Sequence, residues 1–270
     1  MRKVLKTCVL FVAVAGLVLA ACGGDDDDDS NAESGATTTT VAGATGAITV
    51  SAAASLTEAF TEIGTDFQKA NPDATVTFNF GSSGALATQI QEGAPADTFA
   101  SADEANMDKL TSANLVDGEP VVFATNKLVI VTKPDNPKDV KTLADLAALP
   151  VVSLCADTVP CGKYAAQILS TAGVTIPESN VTRGQDVKAT LAAVTTGDAD
   201  AAIVYVTDAQ AAGDAVEAVA IPDEQNAIAT YPIATLTAST NKETSNAFID
   251  YVTSSAGQAT LSSYGFLPAP

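Results

Sequence analysis

The sequence predicts an α/β protein built from mainly parallel β-sheets that are flanked by helices. Apolar segments of strand length alternate along the chain with segments whose apolar residues recur at helical spacing. Small and hydroxyl-bearing residues lead from several strands directly into the following helix, as expected for parallel sheets. A third observation is the apolar run at 121–132, which is too long for one average strand and predicts a crossing between two structural units.

The predicted elements follow one another in a regular order from about Ala47 onward. The first helix runs from Leu56 to Ala70 and ends before Asn71-Pro72, because a proline disfavours helical backbone in the residue before it. The other predicted helices cover 83–92, 102–113, 143–149, 163–172, 188–196, 246–254 and 256–264. The predicted strands cover 48–50, 75–80, 98–100, 150–154, 201–205, 216–221 and 228–236. Ligands of such sheets bind beyond the carboxyl ends of the strands, so the helix starts are the candidate site.

Two strand-to-helix junctions carry hydroxyl groups and no basic residue. Ser55 is predicted to cap the helix after the first strand, and Ser83 lies at the start of the next helix, within Gly81-Ser82-Ser83-Gly84. A helix start exposes N–H donors without intrahelical partners and carries a partial positive charge, which suits an anion. The pattern predicts a small oxyanion held by neutral donors. Plain capping, worth about 1 kcal/mol for each serine, is the alternative interpretation.

The first residues have the pattern of an export signal. A basic start precedes an apolar run from Val9 to Ala20, which is too short to span a membrane. The run ends in Leu19-Ala20-Ala21-Cys22, which resembles the bacterial lipobox. This resemblance implies that residues 1–21 are removed as a signal peptide, that Cys22 is lipidated, and that 22–46 form a flexible, partly acidic tether. The alternative is an ordinary signal peptide with an incidental cysteine.

The charge of the chain argues against a nucleic-acid partner. The sequence holds 13 basic and 32 acidic residues, for a net charge of −19. Removing residues 1–21 takes away three basic and no acidic residues, which leaves −22. Nucleic-acid binding needs a basic surface instead. An anion site remains possible, because distant surface charge is screened within about 10 Å at moderate salt.

Two cysteines and several carboxylates are candidates for cross-linking or for metal binding. Cys155 and Cys161 remain in the folded part and are expected to form a disulfide in an exported protein. A zinc site is disfavoured, because the chain contains no histidine to complete the ligands. The aspartate run at 25–29 lacks the alternating spacing and glycine turn of a calcium loop. Asp97 and Asp208 are interpreted as turn residues at strand ends, with cation binding as the less favoured alternative.

Eight segments, in order, resemble the periplasmic molybdate-binding proteins of molybdenum ABC importers. They are AAASLT at 52–57, FGSSGALA at 80–87, QEGAPAD at 91–97, VPCGKY at 159–164, DV at 186–187, IVYVTDA at 203–209, YPI at 231–233 and YGF at 264–266. The resemblance implies a two-lobed periplasmic-binding-protein-like fold of type II, with the ligand in the cleft between the lobes. Lobe one would comprise 47–123 plus 235–270, and lobe two would comprise 124–234.

The resemblance also implies a set of ligand-binding residues. In that family two serine hydroxyls, backbone N–H groups at helix starts and a tyrosine hydroxyl hold the oxyanion. Carried over, these are Ser55 and Ser83 in lobe one, and Cys161, Val187 and Tyr205 in lobe two. Cys161 departs from the alanine often found there, but only its backbone N–H is used. Molybdenum would be bound only as the molybdate ion, without a cofactor.

The sequence therefore predicts a binding protein and not an enzyme. The resemblance implies an exported monomer, lipid-anchored at the outer face of the cell membrane, that passes molybdate and tungstate to the permease and ATPase subunits of an ABC importer. Binding of another tetrahedral oxyanion such as sulfate by the same fold is the alternative. A hydrolase is disfavoured by the lack of histidine and of a nucleophile elbow. A ferric-ion receptor is disfavoured because the five tyrosines do not cluster in the sequence.

Overall fold

The computed structural model describes residues 43–270, which contain nine strands and eight α-helices. The strands are β1 (Gly46–Ala53), β2 (Ala74–Gly81), β3 (Thr98–Ala100), β4 (Val116–Thr132), β5 (Val152–Cys155), β6 (Val181–Gly184), β7 (Ala201–Tyr205), β8 (Glu217–Ala220) and β9 (Ile228–Leu236). The helices are α1 (Thr57–Ala70), α2 (Ser83–Gln91), α3 (Glu104–Ser112), α4 (Pro160–Thr171), α5 (Val187–Thr195), α6 (Val206–Ala212), α7 (Lys242–Thr253) and α8 (Ser255–Ser263). The predicted signal peptide, Cys22 and most of the predicted tether lie outside these residues.

The strands are hydrogen-bonded in the order β2-β1-β3-β9-β4-β7-β5-β6, and β8 pairs with β4. The pairs β1–β2, β1–β3, β5–β6 and β5–β7 are parallel. Every antiparallel pair within residues 43–270 involves β4 or β9. The predicted α/β class is confirmed, and the parallel strands bring several helix starts to the same edge of the sheet. None of the helices described here is long and apolar enough to cross a membrane.

Strand β4 connects the two halves of the sheet. Its first part pairs with β9, from Val116 opposite Leu236 to Lys127 opposite Ile228. Its last part, from Leu128 onward, pairs with β7 and β8 instead. The apolar run at 121–132 lies within this strand and passes from one half of the sheet to the other, as its length predicted.

The core of the first half joins the beginning of the described chain to its end. Helix α1 buries Phe60, Ile63 and Phe67 on one face, in agreement with their helical spacing. The rings of Phe60 and Phe67 make edge-to-face contacts with Phe248 of α7, with centroids 5.9 and 5.5 Å away. The C-terminal helices therefore belong to the same core as β1 and α1.

The structure corrects several predicted boundaries. Ser55 does not cap α1; it lies inside a 3-10 turn, Ala54–Leu56, and the cap position is Leu56. Ser82 caps α2, with its side chain accepting a hydrogen bond from the N–H of Ala85, and Ser83 is the first helical residue. Helix α4 begins earlier than predicted because Pro160 suits the first helical position. The sequence pattern does not predict strand β6, because Val181–Gly184 holds one large apolar residue.

Candidate functional site

One small cavity lies where four helix starts and the end of β7 approach one another. Its lining residues are Ala53, Ala54, Ser55, Gly81, Ser82, Ser83, Ala102, Val159, Pro160, Cys161, Asp186, Val187 and Tyr205. The structure thus brings all five predicted oxyanion-binding residues into one cavity, although they are separated by up to about 150 residues of chain. The sequence did not single out Gly81, Ala102 or Asp186 as lining residues.

The cavity has the size of a single small ion. The space open to the centre of a water molecule is about 20 Å³. A sphere of that size, widened by the radius of water, corresponds to an ion of roughly 3 Å radius. Sites for larger organic ligands usually measure several hundred Å³. The cavity therefore suits a compact inorganic ion better than a sugar or an amino acid.

Ser83 is arranged as a hydrogen-bond donor. Its side chain is 1% exposed, and its Oγ accepts a hydrogen bond from the backbone N–H of Ala102 at 2.9 Å. A serine hydroxyl has one proton to donate. Since the Ser83 oxygen already accepts from the backbone, its proton is left for a partner in the cavity.

Ser55 is hydrogen-bonded to Tyr231, which the sequence did not indicate as a site residue. Its Oγ lies 2.9 Å from the hydroxyl of Tyr231 in β9, and both side chains are buried. The amide nitrogen of Asn126 approaches the Tyr231 hydroxyl at 3.5 Å and Thr207 Oγ1 at 2.9 Å. Tyr231 lies in one of the segments that resemble the molybdate-binding proteins, which was the available signal. Its contact with Ser55 spans 176 residues and could not be derived from local sequence.

Tyr205 presents a buried hydroxyl that has no hydrogen-bond partner among the residues that the structure describes. The side chain is 1% exposed and its ring lies edge-on to that of Tyr231. Burial raises the pKa of Tyr205 well above its ordinary value, so the hydroxyl keeps its proton. An unpartnered buried hydroxyl costs about 1–3 kcal/mol, and a ligand in the cavity would supply the missing acceptor.

Helices α4 and α5 contribute backbone donors. Pro160 has no N–H, so Cys161 carries the first N–H group of α4. Val187 is the first residue of α5, and Asp186 caps this helix by accepting from the N–H of Ala189 at 2.8 Å. The N–H groups of Cys161 and Val187 consequently have no intrahelical partner. Both are aligned with a helix dipole whose positive end lies at the cavity.

A disulfide fixes the start of α4. Cys155 at the end of β5 pairs with Cys161, with their Cα atoms 5.8 Å apart, so the predicted pair is present. The neighbouring Gly162 has no room for a side chain, because a Cβ there would overlap the carbonyl oxygen of Ala156. Both features hold the first turn of α4 against the strand that precedes it.

Two lysines lie beside the cavity, and carboxylates neutralise both. Lys188 Nζ lies 2.7 and 2.9 Å from the carboxylate oxygens of Glu58, and 3.0 Å from Asp208 Oδ1. Lys163 Nζ lies 3.1 Å from Asp103 Oδ2. Neither lysine lines the cavity, and the lining residues in the described part of the chain include no Lys or Arg. The donors that face the cavity are therefore uncharged.

The other carboxylates singled out from the sequence have structural partners. Asp97 accepts hydrogen bonds from the N–H of Thr49 at 2.8 Å and from Ser239 Oγ at 2.7 Å, as expected for a turn residue. Asp208 is fully buried, and burial raises its pKa from 3.8 to about 6 although Lys188 opposes this shift. Asp208 Oδ1 forms an ion pair with Lys188 Nζ at 3.0 Å. The interpretation of Asp208 as a turn residue is wrong, because it lies in the first turn of α6. Within residues 43–270 no cluster of Cys, Asp or Glu could hold a metal ion.

Comparisons with known proteins agree with the fold. Residues 48–267 match the model of a family described as bacterial extracellular solute-binding proteins. The molybdate-binding protein ModA of Mycobacterium tuberculosis is 41% identical over 221 residues, which cover 81% of this chain and 84% of that protein.

Two solved structures share the architecture at low sequence identity. The periplasmic molybdate-binding protein of Azotobacter vinelandii aligns with a TM-score of 0.75 at 20% identity, over 83% of this chain and 100% of that one. The sulfate-binding protein SubI of Mycobacterium tuberculosis aligns with a TM-score of 0.74 at 20% identity, over 83% of this chain and 87% of that one. These likenesses confirm the predicted periplasmic-binding-protein-like fold.

Proposed function

The chain belongs to the bacterial extracellular solute-binding proteins and, among them, to the molybdate-binding proteins, and on this premise we propose that it captures molybdate and tungstate for an ABC importer. The description of the family as solute-binding proteins supports a role in transport. The donor set of the cavity carries the proposal: two serine hydroxyls, one tyrosine hydroxyl and two helix-start N–H groups line a space the size of one ion. Preorganised neutral dipoles of this kind can replace the hydration shell of an anion without a counter-charge.

The donor set favours a fully deprotonated tetrahedral dianion. Hydrogen phosphate carries a proton that needs an acceptor, and leaving that proton unpaired costs about 1–3 kcal/mol. Asp186 is the one carboxylate-bearing residue among the lining residues of the described chain, and its Oδ1 accepts the N–H of Ala189 in the cap of α5. We therefore expect phosphate to be rejected in favour of molybdate, through far weaker binding.

Sulfate is the second candidate. It is fully deprotonated like molybdate, so the donor pattern accepts it equally well, and the sulfate-binding protein SubI shares the fold. Only the size of the closed cavity would then separate the two anions, since molybdate and tungstate are the larger ions. The identity to a molybdate-binding protein favours molybdate as the first assignment.

Ligand binding is proposed to close two lobes, comprising residues 47–123 plus 235–270 and residues 124–234. The division of the sheet at β4 supports these boundaries. Ser55 and Ser83 belong to lobe one, whereas Cys161, Val187 and Tyr205 belong to lobe two. An ion that bonds to both sets stabilises the closed form over the open form. The importer would bind this closed form.

The proposal includes export and anchoring. Residues 1–21 are proposed to be removed and Cys22 to be lipidated, so that a monomer reaches the permease and ATPase from the outer face of the cell membrane. Metabolic labelling with a fatty acid tests this part: the wild-type chain should incorporate the label, and Cys22→Ser should not. Label on Cys22→Ser, or none on the wild-type chain, would contradict the anchor without affecting the binding proposal.

Calorimetric titration with molybdate, tungstate, sulfate and phosphate tests the function. We expect tight binding of molybdate and tungstate and far weaker binding of phosphate. Ser83→Ala should weaken molybdate binding roughly 10- to 100-fold, because a hydrogen bond to a charged group contributes about 1.5–3 kcal/mol. Ser170→Ala, at an exposed position in α4, is the matched control and should bind as the wild type does. Binding of sulfate alone would replace the assignment, and binding of no oxyanion would refute it.

A further inference from the structure

We propose that Asn126 and Tyr231 fix the direction of the Ser55 hydroxyl proton, and so make Ser55 a donor toward the cavity and not an acceptor. Both are positioning residues, since neither lines the cavity. This inference rests on the proposed oxyanion function and deepens it, because it identifies a cause of selectivity for deprotonated ions.

The orientation of the Asn126 amide follows from its backbone neighbour. Asn126 is fully buried, and its Oδ1 accepts a hydrogen bond from the N–H of Lys127 at 2.9 Å. A backbone N–H can only donate, so the oxygen of the amide must lie on this side. The NH₂ group is therefore directed the other way, toward the hydroxyls of Thr207 and Tyr231.

The direction of the Tyr231 proton follows in turn. The Asn126 NH₂ group donates to Thr207 Oγ1 at 2.9 Å and approaches the Tyr231 oxygen at 3.5 Å. An NH₂ group cannot accept, so the Tyr231 proton must turn to another partner. Ser55 Oγ, at 2.9 Å, is the partner within reach, and the ring of Tyr231 is otherwise packed edge-on against Phe123, Tyr205 and Phe266.

Ser55 is left with its own proton for the cavity. Its oxygen accepts from Tyr231, so its hydroxyl can complete the set of donors around an ion. Without Tyr231, the Ser55 oxygen would be free to accept the proton of an ion such as hydrogen phosphate. The three-residue chain from Asn126 through Tyr231 to Ser55 therefore acts against protonated oxyanions.

The replacement Tyr231→Phe tests the effect on selectivity. We expect the affinity for molybdate to fall roughly tenfold, because an unpartnered Ser55 loses its fixed orientation. The ratio of molybdate to phosphate affinity should fall by more than this factor, because phosphate gains an acceptor. A purely structural loss would weaken the binding of both ions alike and leave the ratio unchanged. Tyr264→Phe is the matched control: its hydroxyl donates to Glu62 at an exposed position, and its removal should change neither affinity nor ratio.

Neutron diffraction on the ligand-free wild-type protein tests the proton direction itself. We expect the deuteron between the two residues to be bonded to Tyr231 and directed at Ser55 Oγ. A deuteron bonded to Ser55 and directed at Tyr231, or an unchanged affinity ratio in Tyr231→Phe, overturns the inference while molybdate binding by the wild type leaves the proposed function intact. If the wild type binds no oxyanion, the function fails independently of the neutron result.

Discussion

The hydroxyl of Tyr205 has opposite consequences for folding and for ligand binding. It is buried without a partner in the described structure, and it lines the ion-sized cavity. Tyr205→Phe should therefore stabilise the ligand-free protein by about 1 kcal/mol, because it removes an unpaired polar group. The same change should weaken molybdate binding by roughly tenfold or more, because it removes one donor to the ion.

Urea denaturation and calorimetric titration of the same preparations measure both effects. Tyr251→Phe, on a half-exposed tyrosine of α7, is the control and should alter neither quantity. A Tyr205→Phe variant that bound molybdate with unchanged affinity would remove Tyr205 from the proposed ligands.

Asp208 predicts a pH dependence of stability. Its pKa is about 6 in the folded protein against 3.8 in the unfolded chain, because the side chain is fully buried. Between about pH 4 and pH 6 the unfolded chain loses this proton first, so the free energy of unfolding falls as the pH rises through this window. The loss amounts to about 3 kcal/mol and is complete above pH 6.

Asp208→Asn should remove this loss, since an amide mimics the protonated acid. Lys188 keeps Glu58 as its partner in the variant. The difference in unfolding free energy between variant and wild type should grow in favour of the variant from about pH 4 to pH 6 and then stay constant. Urea denaturation at several pH values measures it, and a difference that did not depend on pH would contradict the assignment.

At the scale of single residues, the sequence predicts those site residues that lie at a recognisable junction between a strand and a helix. Ser83 and Val187 follow strands at helix starts, and all five predicted residues do line one cavity. Tyr231 and Asn126 could not be found in this way, because their roles depend on contacts between β9, β4 and the first helix turn. The sequence also predicted that Ser55 caps α1, but Ser55 lies inside a 3-10 turn and does not cap the helix.

Among the elements, the start of α4 combines a cross-link with a site function. The disulfide joins residues six positions apart, from β5 to the first turn of the helix. Closing a loop of this size should stabilise the fold by about 2 kcal/mol through the unfolded state. The double variant Cys155→Ala, Cys161→Ala should lower stability by this amount and weaken molybdate binding a few-fold, because the Cys161 N–H becomes less well fixed.

Calorimetry and chemical denaturation check this prediction, and dithiothreitol supplies an internal control. The reductant should lower the stability of the wild type to that of the double variant and leave the variant unchanged. Equal stabilities of the oxidised wild type and the variant would show that the cross-link is not needed to hold α4.

The predicted helices and strands match the structure where the apolar pattern is strong, and they differ from it at the ends of elements and at the edge of the sheet. Strands β7 and β9 have the predicted bounds, since each is a nearly continuous apolar run. Helix α4 starts three residues before the prediction, and β6 pairs beside β5 without an apolar pattern of its own. Hydrogen bonding to a neighbouring strand, and not local composition, defines an edge strand of this kind.

For the molecule as a whole, ion pairs beside the cavity connect the two proposed lobes. Lys188 of α5 pairs with Glu58 of α1, and Lys163 of α4 pairs with Asp103, the cap of α3. Glu58→Gln should speed the release of molybdate about two- to fivefold. The effect is small because both side chains are partly exposed, and water screens the pair.

Stopped-flow release measurements at low and high salt check this role. The wild-type release rate should rise with salt, and the rate of Glu58→Gln should depend on salt less. Asp66→Asn breaks the Lys69–Asp66 pair within α1 and should leave release unchanged. A Glu58→Gln protein that released the ion at the wild-type rate would show that the pair does not hold the lobes together.

The position of β9 between β3 and β4 has a consequence for the order of folding. In the first half of the sheet, β3 and β4 are connected only through β9, which comes more than a hundred residues after β3 in the chain. During synthesis from the N-terminus, the edges of β3 and β4 that pair with β9 consequently remain unpaired until residues 228–236 emerge. Unpaired edges invite pairing with other chains, and pairing over such distances is slow. The second half, made largely of consecutive chain, can form meanwhile, so the two halves that carry the cavity-lining residues are joined only when the last strand of the described chain arrives.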